Sequence, residues 1–340
     1  MTASLDQPDA GAVAVSDAGG ERPRVVVGVD GSAGSRVALA YAMIAAARRG
    51  ADVEVVCSWA MELYYGGGAP FAVPDLAGLR DDVEARARTL MTEVREELAV
   101  SFAPGIRELA VTLSASSGPA AHALLERAAG AALLVVGSRG RDALRSALLG
   151  SVALHCVTHA TCPVVVVHPT ANGHTAERIV VGVDGSEGSR AALAAAIEEA
   201  GRTGAEVEAL ATYVLTDYWT DLASIVVPPA EQVRAELEGR TRALVELALT
   251  EHSDNGATPN VRITVVEGAA PNVLLDRART ADLLVVGSRG RGAFRGLLLG
   301  SVALHCAMHA ACPVMVVHPE KGRSTAAAVS ASVPADRYQY

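Results

Sequence analysis

The chain has 340 residues, of which 50% are hydrophobic and 20% charged, and its formal net charge is -9 at pH 7. This length is enough for two domains of ordinary size. Because no apolar run approaches the ~20 residues of a spanning helix, we expect no membrane span. The acidic balance argues against a nucleic-acid partner, which would require a basic face.

The five cysteines and the first residues of the chain indicate a reducing compartment. Five cysteines are an odd number and too sparse for a disulfide scaffold, so reduced thiols are expected. Residues 1–23 have neither a basic cluster nor a long apolar stretch, and we interpret them as a disordered leader rather than a secretory signal. The expected location is cytoplasmic.

In the first domain, the apolar run at residues 25–29 predicts a strand that is covered on both faces. Ser32 or Ser35 is expected to cap the alanine-rich helix that follows, and Gly50 fits its end. Further strands are predicted at 53–59, 109–113, 133–136 and 164–167, with helices around 79–98, 122–129 and 151–160.

The chain contains an internal duplication that repeats this order of elements. Residues 24–40 match residues 178–194 at 14 of 17 positions, and residues 133–169 match residues 283–319 at 29 of 37 positions. We predict domains at 24–169 and 178–319, a linker at 170–177 and a disordered tail at 320–340. Alternating strands and helices predict an α/β fold of two tandem, doubly wound, parallel five-stranded sheets, which is Rossmann-like.

A glycine-rich loop follows the fourth strand of each domain. Both loops have the pattern G-x2-G-x9-G-S, formed by Gly137, Gly140, Gly150 and Ser151 and again by Gly287, Gly290, Gly300 and Ser301. Glycine lets backbone amides approach an anion, and the N-terminus of the following helix adds partial positive charge. The repeated spacing predicts a phosphate-binding loop in each domain, and the alternative is a pair of tight turns with no ligand.

An aspartate follows the first strand of each domain, at Asp30 and Asp184. Ligands of doubly wound sheets bind beyond the carboxyl ends of the strands, so we predict that each aspartate shares one pocket with its glycine loop. Helix capping is the competing interpretation. Arg139 and Arg289, inside the loops, are placed to reach a phosphate, and an exposed arginine without a partner is the alternative.

Other chemistry is less well supported by the sequence. His155, Cys156, His159 and Cys162 suggest a metal site, but helix neighbours point about 100° apart, so we expect buried thiols, satisfied histidines and no metal. No lysine of the Walker A type follows the glycines, and no nucleophile elbow is present. Whether the protein is an enzyme stays open, with slow ATP hydrolysis or autophosphorylation as the most that we predict.

The strand ending VDGS, the glycine pattern and the closing HAxCPVxVV strand together resemble the universal stress protein family, in its ATP-binding branch. The resemblance covers nearly all of both domains. It implies that ATP, with Mg²⁺ left open, binds in each domain. The implied binding residues are Asp30, Ser58, Gly137, Arg139, Gly140, Gly150, Ser151 and Val152 in the first domain, and Asp184, Thr212, Gly287, Arg289, Gly290, Gly300, Ser301 and Val302 in the second.

Within that set, the resemblance places the aspartates by the ribose and phosphates, the first glycine near the ribose, and the remaining glycines with the serine and valine at the phosphates. Backbone near Ser58 and Thr212 is implied to meet adenine. Family members pair through their fifth strands, so residues 164–167 and 314–317 are expected to form an intramolecular pseudo-dimer, and a homodimer is left open.

The function that this resemblance implies is nucleotide-dependent regulation of a stress or growth-arrest response through an unidentified partner protein. Two alternatives stay open. One is an enzyme of a related nucleotide-handling fold, and the other is an interaction module that has lost nucleotide binding.

Overall fold

The computed structural model of the chain describes residues 22–59, 76–101, 104–140, 149–169, 177–215, 229–252, 258–291 and 298–319. Most of the predicted leader (1–21), most of the predicted linker (170–176) and the predicted tail (320–340) lie outside these ranges, as does the loop at 60–75.

Strands and helices alternate in the described part of the first half. The elements are β1 (Arg24–Gly28), α1 (Ala33–Arg49), β2 (Asp52–Trp59), α2 (Leu76–Ser101), β3 (Val111–Ser117), α3 (Ala120–Ala128), β4 (Leu133–Gly137), α4 (Ser151–His159) and β5 (Val164–Val167), with a 3₁₀ turn at Pro104–Ile106 before β3.

The second half repeats this order. Its elements are β6 (Arg178–Gly182), α5 (Glu187–Thr203), β7 (Glu206–Tyr213), α6 (Ala230–His252), β8 (Val261–Glu267), α7 (Ala270–Ala278), β9 (Leu283–Gly287), α8 (Ser301–His309) and β10 (Val314–Val317).

The strands form one ten-stranded sheet in the order β3-β2-β1-β4-β5-β10-β9-β6-β7-β8. All pairs within a half are parallel, as predicted. The halves join where β5 and β10 pair antiparallel, with Met315 opposite Val165. The two five-stranded sheets are therefore the two halves of one continuous sheet, and the pairing of the fifth strands that the resemblance implies is present within one chain.

Helices cover both faces of this sheet, so its central strands have no solvent-facing side. In β1, Val25, Val26 and Val27 are all completely buried. Val25 and Val27 belong to the apolar cluster that includes α1 and α2, whereas Val26 belongs to the cluster that includes α3 and α4. Burial on both faces explains the continuous valine run, since alternate side chains enter opposite layers.

The ends of α1 confirm the capping signals. Ser32 is the N-cap, and its side chain accepts a hydrogen bond from the amide of Ser35. Gly50 ends the helix in the left-handed conformation, with φ of 59°. Ser186 and Gly204 do the same for α5.

The predicted bounds of β3 are wrong. The apolar residues at 109–113 suggested a strand there, but β3 begins at Val111 and continues to Ser117. Leu109 is buried in the loop before the strand, so its hydrophobicity reports packing and not strand geometry. The polar end continues as a strand because it pairs with β2 as far as Trp59 opposite Ser117.

Across the ranges that the structure describes, no helix has both the length and the apolar character that crossing a membrane requires.

Candidate functional site

A cavity of about 360 Å³ opens at the carboxyl ends of β1, β2 and β4, beside the N-terminus of α4. It lies where β1 meets both β2 and β4, which is the point where the chain reverses its winding direction. All eight site residues predicted for the first half line this cavity: Asp30, Ser58, Gly137, Arg139, Gly140, Gly150, Ser151 and Val152. The volume falls within the range of small-molecule pockets.

Asp30 links the turn after β1 to the glycine loop. One carboxylate oxygen, Oδ1, accepts a hydrogen bond of 2.9 Å from the amide of Ser32. The other, Oδ2, lies so close to Gly140 that a Cβ at that glycine would be 2.7 Å from it. The bare Cα of Gly140 is therefore what allows the loop to approach Asp30.

Asp184 has the same position in the second half. Its carboxylate accepts hydrogen bonds of 2.9 Å from the amide of Ser186 and from the amide of Arg291 in the second glycine loop. Burial opposes ionisation of this carboxyl, but the hydrogen bonds from Ser186, Arg291 and Ser189 outweigh it and lower its pKa. The aspartate is thus held as an anion that fixes the loop against the turn.

The glycine loop is closed by its own backbone. The amide of Ser138 donates to the carbonyl of Val167 in β5, and the carbonyl of Ser138 accepts from the amide of Gly150, both at 2.8 Å. Because the amide of Gly150 already donates to the carbonyl of Ser138, it is not available to a ligand. The contribution of Gly150 is the absence of a side chain, which leaves the cavity open beside the loop. The second loop has the same two bonds, at 2.7 Å, around Ser288.

The N-terminus of α4 faces the cavity without a side-chain cap. Gly150 is the N-cap residue, and it provides no side-chain cap. The amide of Leu154 donates to the carbonyl of Gly150. Within the described ranges, the amides of Ser151 and Val152 have no hydrogen-bond acceptor, and they lie at a positively polarised helix end, an arrangement that favours anions.

Arg139 lines the cavity and is exposed. Among the described residues, neither Arg139 nor Arg289 has a carboxylate within salt-bridge distance. Each instead has a histidine nearby, the buried His168 for Arg139 and the partly buried His318 for Arg289.

The far end of the cavity, away from the glycine loop, is apolar. Val56 and Ser58 extend from β2, and Leu124 faces them from α3. Gly118 and Ala120 close this end at the turn between β3 and α3. Thr212 occupies the place of Ser58 in the second half, because both pair with the same position of the neighbouring strand.

Gly34 and its equivalent Gly188, which were not predicted as site residues, help to build the two sites. A Cβ on Gly34 would lie 2.6 Å from the carbonyl oxygen of Arg139, and one on Gly137 would lie 2.9 Å from the backbone of Gly34. Only bare Cα atoms allow the start of α1 to pack on the glycine loop. The repeated motif DGSxGS, which contains Gly34 and Gly188, was the signal that could have identified them.

The histidines and cysteines of α4 face different surroundings. The rings of His155 and His159 stack at 4.2 Å on the exposed side, whereas Cys156 is buried and burial raises its pKa to about 12. Burial also raises the pKa of Cys162 to about 11. Within the described ranges, no group of three or more His, Cys, Asp or Glu side chains is arranged to hold a metal ion.

Two histidines, the buried His168 and the partly buried His318, lie at the contact between the halves. His168 follows β5 and is 7% exposed, and neither ring nitrogen finds a hydrogen-bond partner among the described residues. Burial is the main cause of the lowered pKa of His168, and the positive charge of Arg139 lowers this pKa further. The backbone of Ala307 and Met308 in α8 has the opposite effect and raises it. His318 is placed symmetrically, near Thr158 of α4.

The sequence model of the Universal stress protein family matches the chain twice, at residues 21–168 and 175–318. A universal stress protein of Mycolicibacterium smegmatis is 34% identical over 306 residues, which cover 87% of this chain and 97% of that protein.

Solved structures show the same fold. A universal stress protein from Archaeoglobus fulgidus superposes with a TM-score of 0.61 at 17% identity, covering 87% of this chain and 98% of its own. A universal stress protein solved in complex with cAMP matches 43% of this chain and 98% of its own, at 27% identity and a TM-score of 0.32.

Proposed function

The chain belongs to the universal stress protein family, and from this premise we propose that each half binds an adenine nucleotide, ATP, and that the bound nucleotide controls an interaction with a partner protein in a stress response. The observation that carries the proposal is the single cavity that gathers all eight residues predicted for the first half. The phosphates are assigned to the end formed by the glycine loop and α4, and the base to the apolar end.

The phosphate end has the donors that a triphosphate requires. The amides of Ser151 and Val152 point from an uncapped helix N-terminus, and Arg139 adds a charged donor without a carboxylate partner in the described part of the chain. Gly140 and Gly150 leave the approach open. Asp30 bonds the backbone of the turn and lies against Gly140 of the loop, and its counterpart Asp184 accepts from a loop amide, so we assign the aspartates to shaping the sites rather than to binding phosphate oxygens.

The proposed regulation has a physical route through the junction of the halves. Ser138 of the glycine loop bonds the backbone of Val167, the residue before His168. His168 packs near the end of α8, the helix whose first residue, Ser301, belongs to the other site. A nucleotide that reorders one loop would therefore act directly on the interface between halves.

The proposal concerns binding and not rapid catalysis. Hydrolysis requires a group that positions and deprotonates water, and the lowered pKa of Asp184 makes this carboxylate a poor base. Any turnover of ATP is expected to be slow.

The test is isothermal titration with ATP, with and without Mg²⁺, of the wild-type protein and of the double variant Ser151→Glu, Ser301→Glu. Both serines are exposed first residues of their helices. An acidic residue stabilises a helix N-terminus, so the fold should survive while the added charge repels the triphosphate. We expect affinity to fall on the order of 100-fold.

The matched control is Ser151→Gln, Ser301→Gln, which has the same shape without the charge and should retain most of the affinity. Absence of ATP binding by the wild-type protein, or unchanged binding by the glutamate variant, would contradict the proposal. A glutamine variant that binds as weakly as the glutamate variant would show that the site rejects bulk and is not organised around an anion.

A further inference from the structure

The two candidate sites are almost identical in sequence. Of the seventeen residues that line the first cavity, fifteen have the same residue at the equivalent place in the second half. The two exceptions are Val56, which corresponds to Leu210, and Ser58, which corresponds to Thr212. Both lie at the end of the second strand of their half.

Strand register shows that these positions are equivalent in space. Val56 lies opposite Gly28 in β1, and Leu210 lies opposite Gly182 in β6. Residues 56 and 58 are two apart on a strand, so their side chains emerge on the same face. The same holds for residues 210 and 212, and both changes therefore affect the same wall.

The chemistry of the two differences is the same. Valine to leucine adds one carbon, serine to threonine adds one carbon, and neither adds or removes a hydrogen-bonding group. Every residue at the glycine-loop end, including the serine that opens the following helix, is unchanged. The second half therefore keeps all donors for an anion but has less room at its apolar end.

Leu210 fills its place in the core of the second half. It is 1% exposed and shares its apolar cluster with Leu274. A Cβ on Gly182 would lie 3.4 Å from Leu274, whereas one on Gly28 would lie 2.9 Å from Leu124. The leucine of α7 therefore stands slightly farther from the first strand of its half than the leucine of α3 does, and the extra carbons of Leu210 and Thr212 are the difference that reduces the room at the apolar end.

The approach of the helix to the glycine loop is also tighter in the second half. A Cβ on Gly287 would lie 2.4 Å from the backbone of Gly188, against 2.9 Å for Gly137 and Gly34. The first turn of α5 therefore lies closer to the end of β9 than the first turn of α1 lies to the end of β4.

We propose that the two sites differ in affinity for ATP, with the first half as the high-affinity site and the second half as a low-affinity site whose base end is narrowed by Leu210 and Thr212. This inference rests on the proposed nucleotide binding. Leu210 and Thr212 together place two extra carbons in the space that the base would occupy. We expect this overpacking to make ATP binding at the second site weaker on the order of 10- to 100-fold.

The experiment measures each site alone by isothermal titration with ATP. Ser301→Glu disables the second site and reports the first, and Ser151→Glu disables the first and reports the second. In the Ser151→Glu background, the added pair Leu210→Val, Thr212→Ser should raise affinity to that of the first site. In the Ser301→Glu background, the reciprocal pair Val56→Leu, Ser58→Thr should lower affinity by the same factor.

Thermal unfolding of each variant shows that the exchanged pairs leave the fold intact, since each pair reproduces the residues of the other half. Equal affinities of the two sites, tighter binding at the second, or exchanged pairs that do not transfer the difference would overturn the inference while leaving nucleotide binding in place. Failure of the wild-type protein and both single-site variants to bind ATP would instead overturn the proposed function, and the inference with it.

Discussion

Single residues in this protein serve two purposes, and Asp30 shows why the sequence alone could not separate them. The sequence left helix capping and a ligand role as alternatives. In the structure its carboxylate accepts from the amide of Ser32 while also facing Gly140 of the glycine loop. The contact with Ser32 depends on the side-chain rotamer of Asp30, and the contact with Gly140 joins residues that are distant in sequence. Only the folded chain therefore shows that Asp30 lies between the turn and the loop.

His168 and His318 are the residues that the sequence analysis missed most completely. Each follows a valine-rich strand in the sequence, and each is placed against a helix of the other half. The contact between each histidine and a helix of the other half depends on the pairing of β5 with β10. No local sequence pattern therefore predicts it. Their burial has a consequence for pH.

We predict that the free energy of unfolding falls as the pH drops below about 6.5, the pKa of an ordinary histidine. Burial lowers the pKa of both His168 and His318 in the folded state. Between the folded and unfolded pKa values the unfolded chain binds more protons, so stability is fully present above the unfolded pKa and is lost on acidification. Each histidine contributes a slope of at most about 1.4 kcal/mol per pH unit.

Urea unfolding at pH values from 5.5 to 7.5 measures this dependence. The variant His168→Gln, His318→Gln should show a shallower slope over the same range, since glutamine does not titrate. Identical slopes for the variant and the wild-type protein would show that these histidines do not carry the effect.

At the scale of elements, most of the fold was predictable because each strand and helix carries its own signal. The buried valine runs, the serine caps and the glycine ends placed β1, α1 and their repeats within a residue or two. The bounds of β3 were predicted wrongly for two reasons. The apolar Leu109 lies in the loop before the strand, and the second half of the strand is mostly polar. The polar end of β3 is held in strand geometry by its pairing with β2, and that pairing cannot be read from the composition of β3.

The contact between α1 and β4 is the element-level feature on which the site depends most. Gly137 ends β4 and meets the backbone of Gly34 at the start of α1. Substitution by alanine forces these backbones apart, and overpacking of this kind costs about 1–3 kcal/mol. We predict that Gly137→Ala lowers the free energy of unfolding by about that amount and that Gly287→Ala, where the equivalent backbone is closer, lowers it more.

Chemical denaturation of each variant measures the cost. Gly201→Ala is the control. This glycine lies inside α5, and no atom of the described residues outside its own stretch of helix lies within 4 Å of an added Cβ. Alanine there should stabilise the helix by about 0.5–1 kcal/mol. Gly137→Ala and Gly201→Ala variants of equal stability would contradict the close packing described for the glycine loop.

At the scale of the whole molecule, the duplication has produced a structure that is symmetric in its sheet but not in its contacts. The equivalent strands β5 and β10 of the two halves pair with each other in antiparallel orientation. On the helices, however, Arg49 of α1 forms an ion pair with Glu199 of α5, with side chains only 7% and 4% exposed. The repeat-equivalent positions hold Thr203 and Ala45, so this pair is made once. Two copies joined in one chain are free to diverge in this way.

The same divergence underlies the two sites. The repeat made both sites visible in the sequence, and the resemblance to universal stress proteins indicated which residues to compare. The resemblance already named Ser58 and Thr212, but Val56 and Leu210 were not selected, because knowing that residue 56 also lines the cavity requires the register of β2 against β1 and the position of α3.

The most direct test of the central claim is a crystal structure of the protein with ATP and Mg²⁺. The account predicts triphosphate density within hydrogen-bond distance of the backbone amides of Ser151 and Val152, with adenine toward Val56 and Ser58. In the second half the equivalent density should be weaker. A cavity filled by protein side chains, or ATP bound away from both glycine loops, would contradict it.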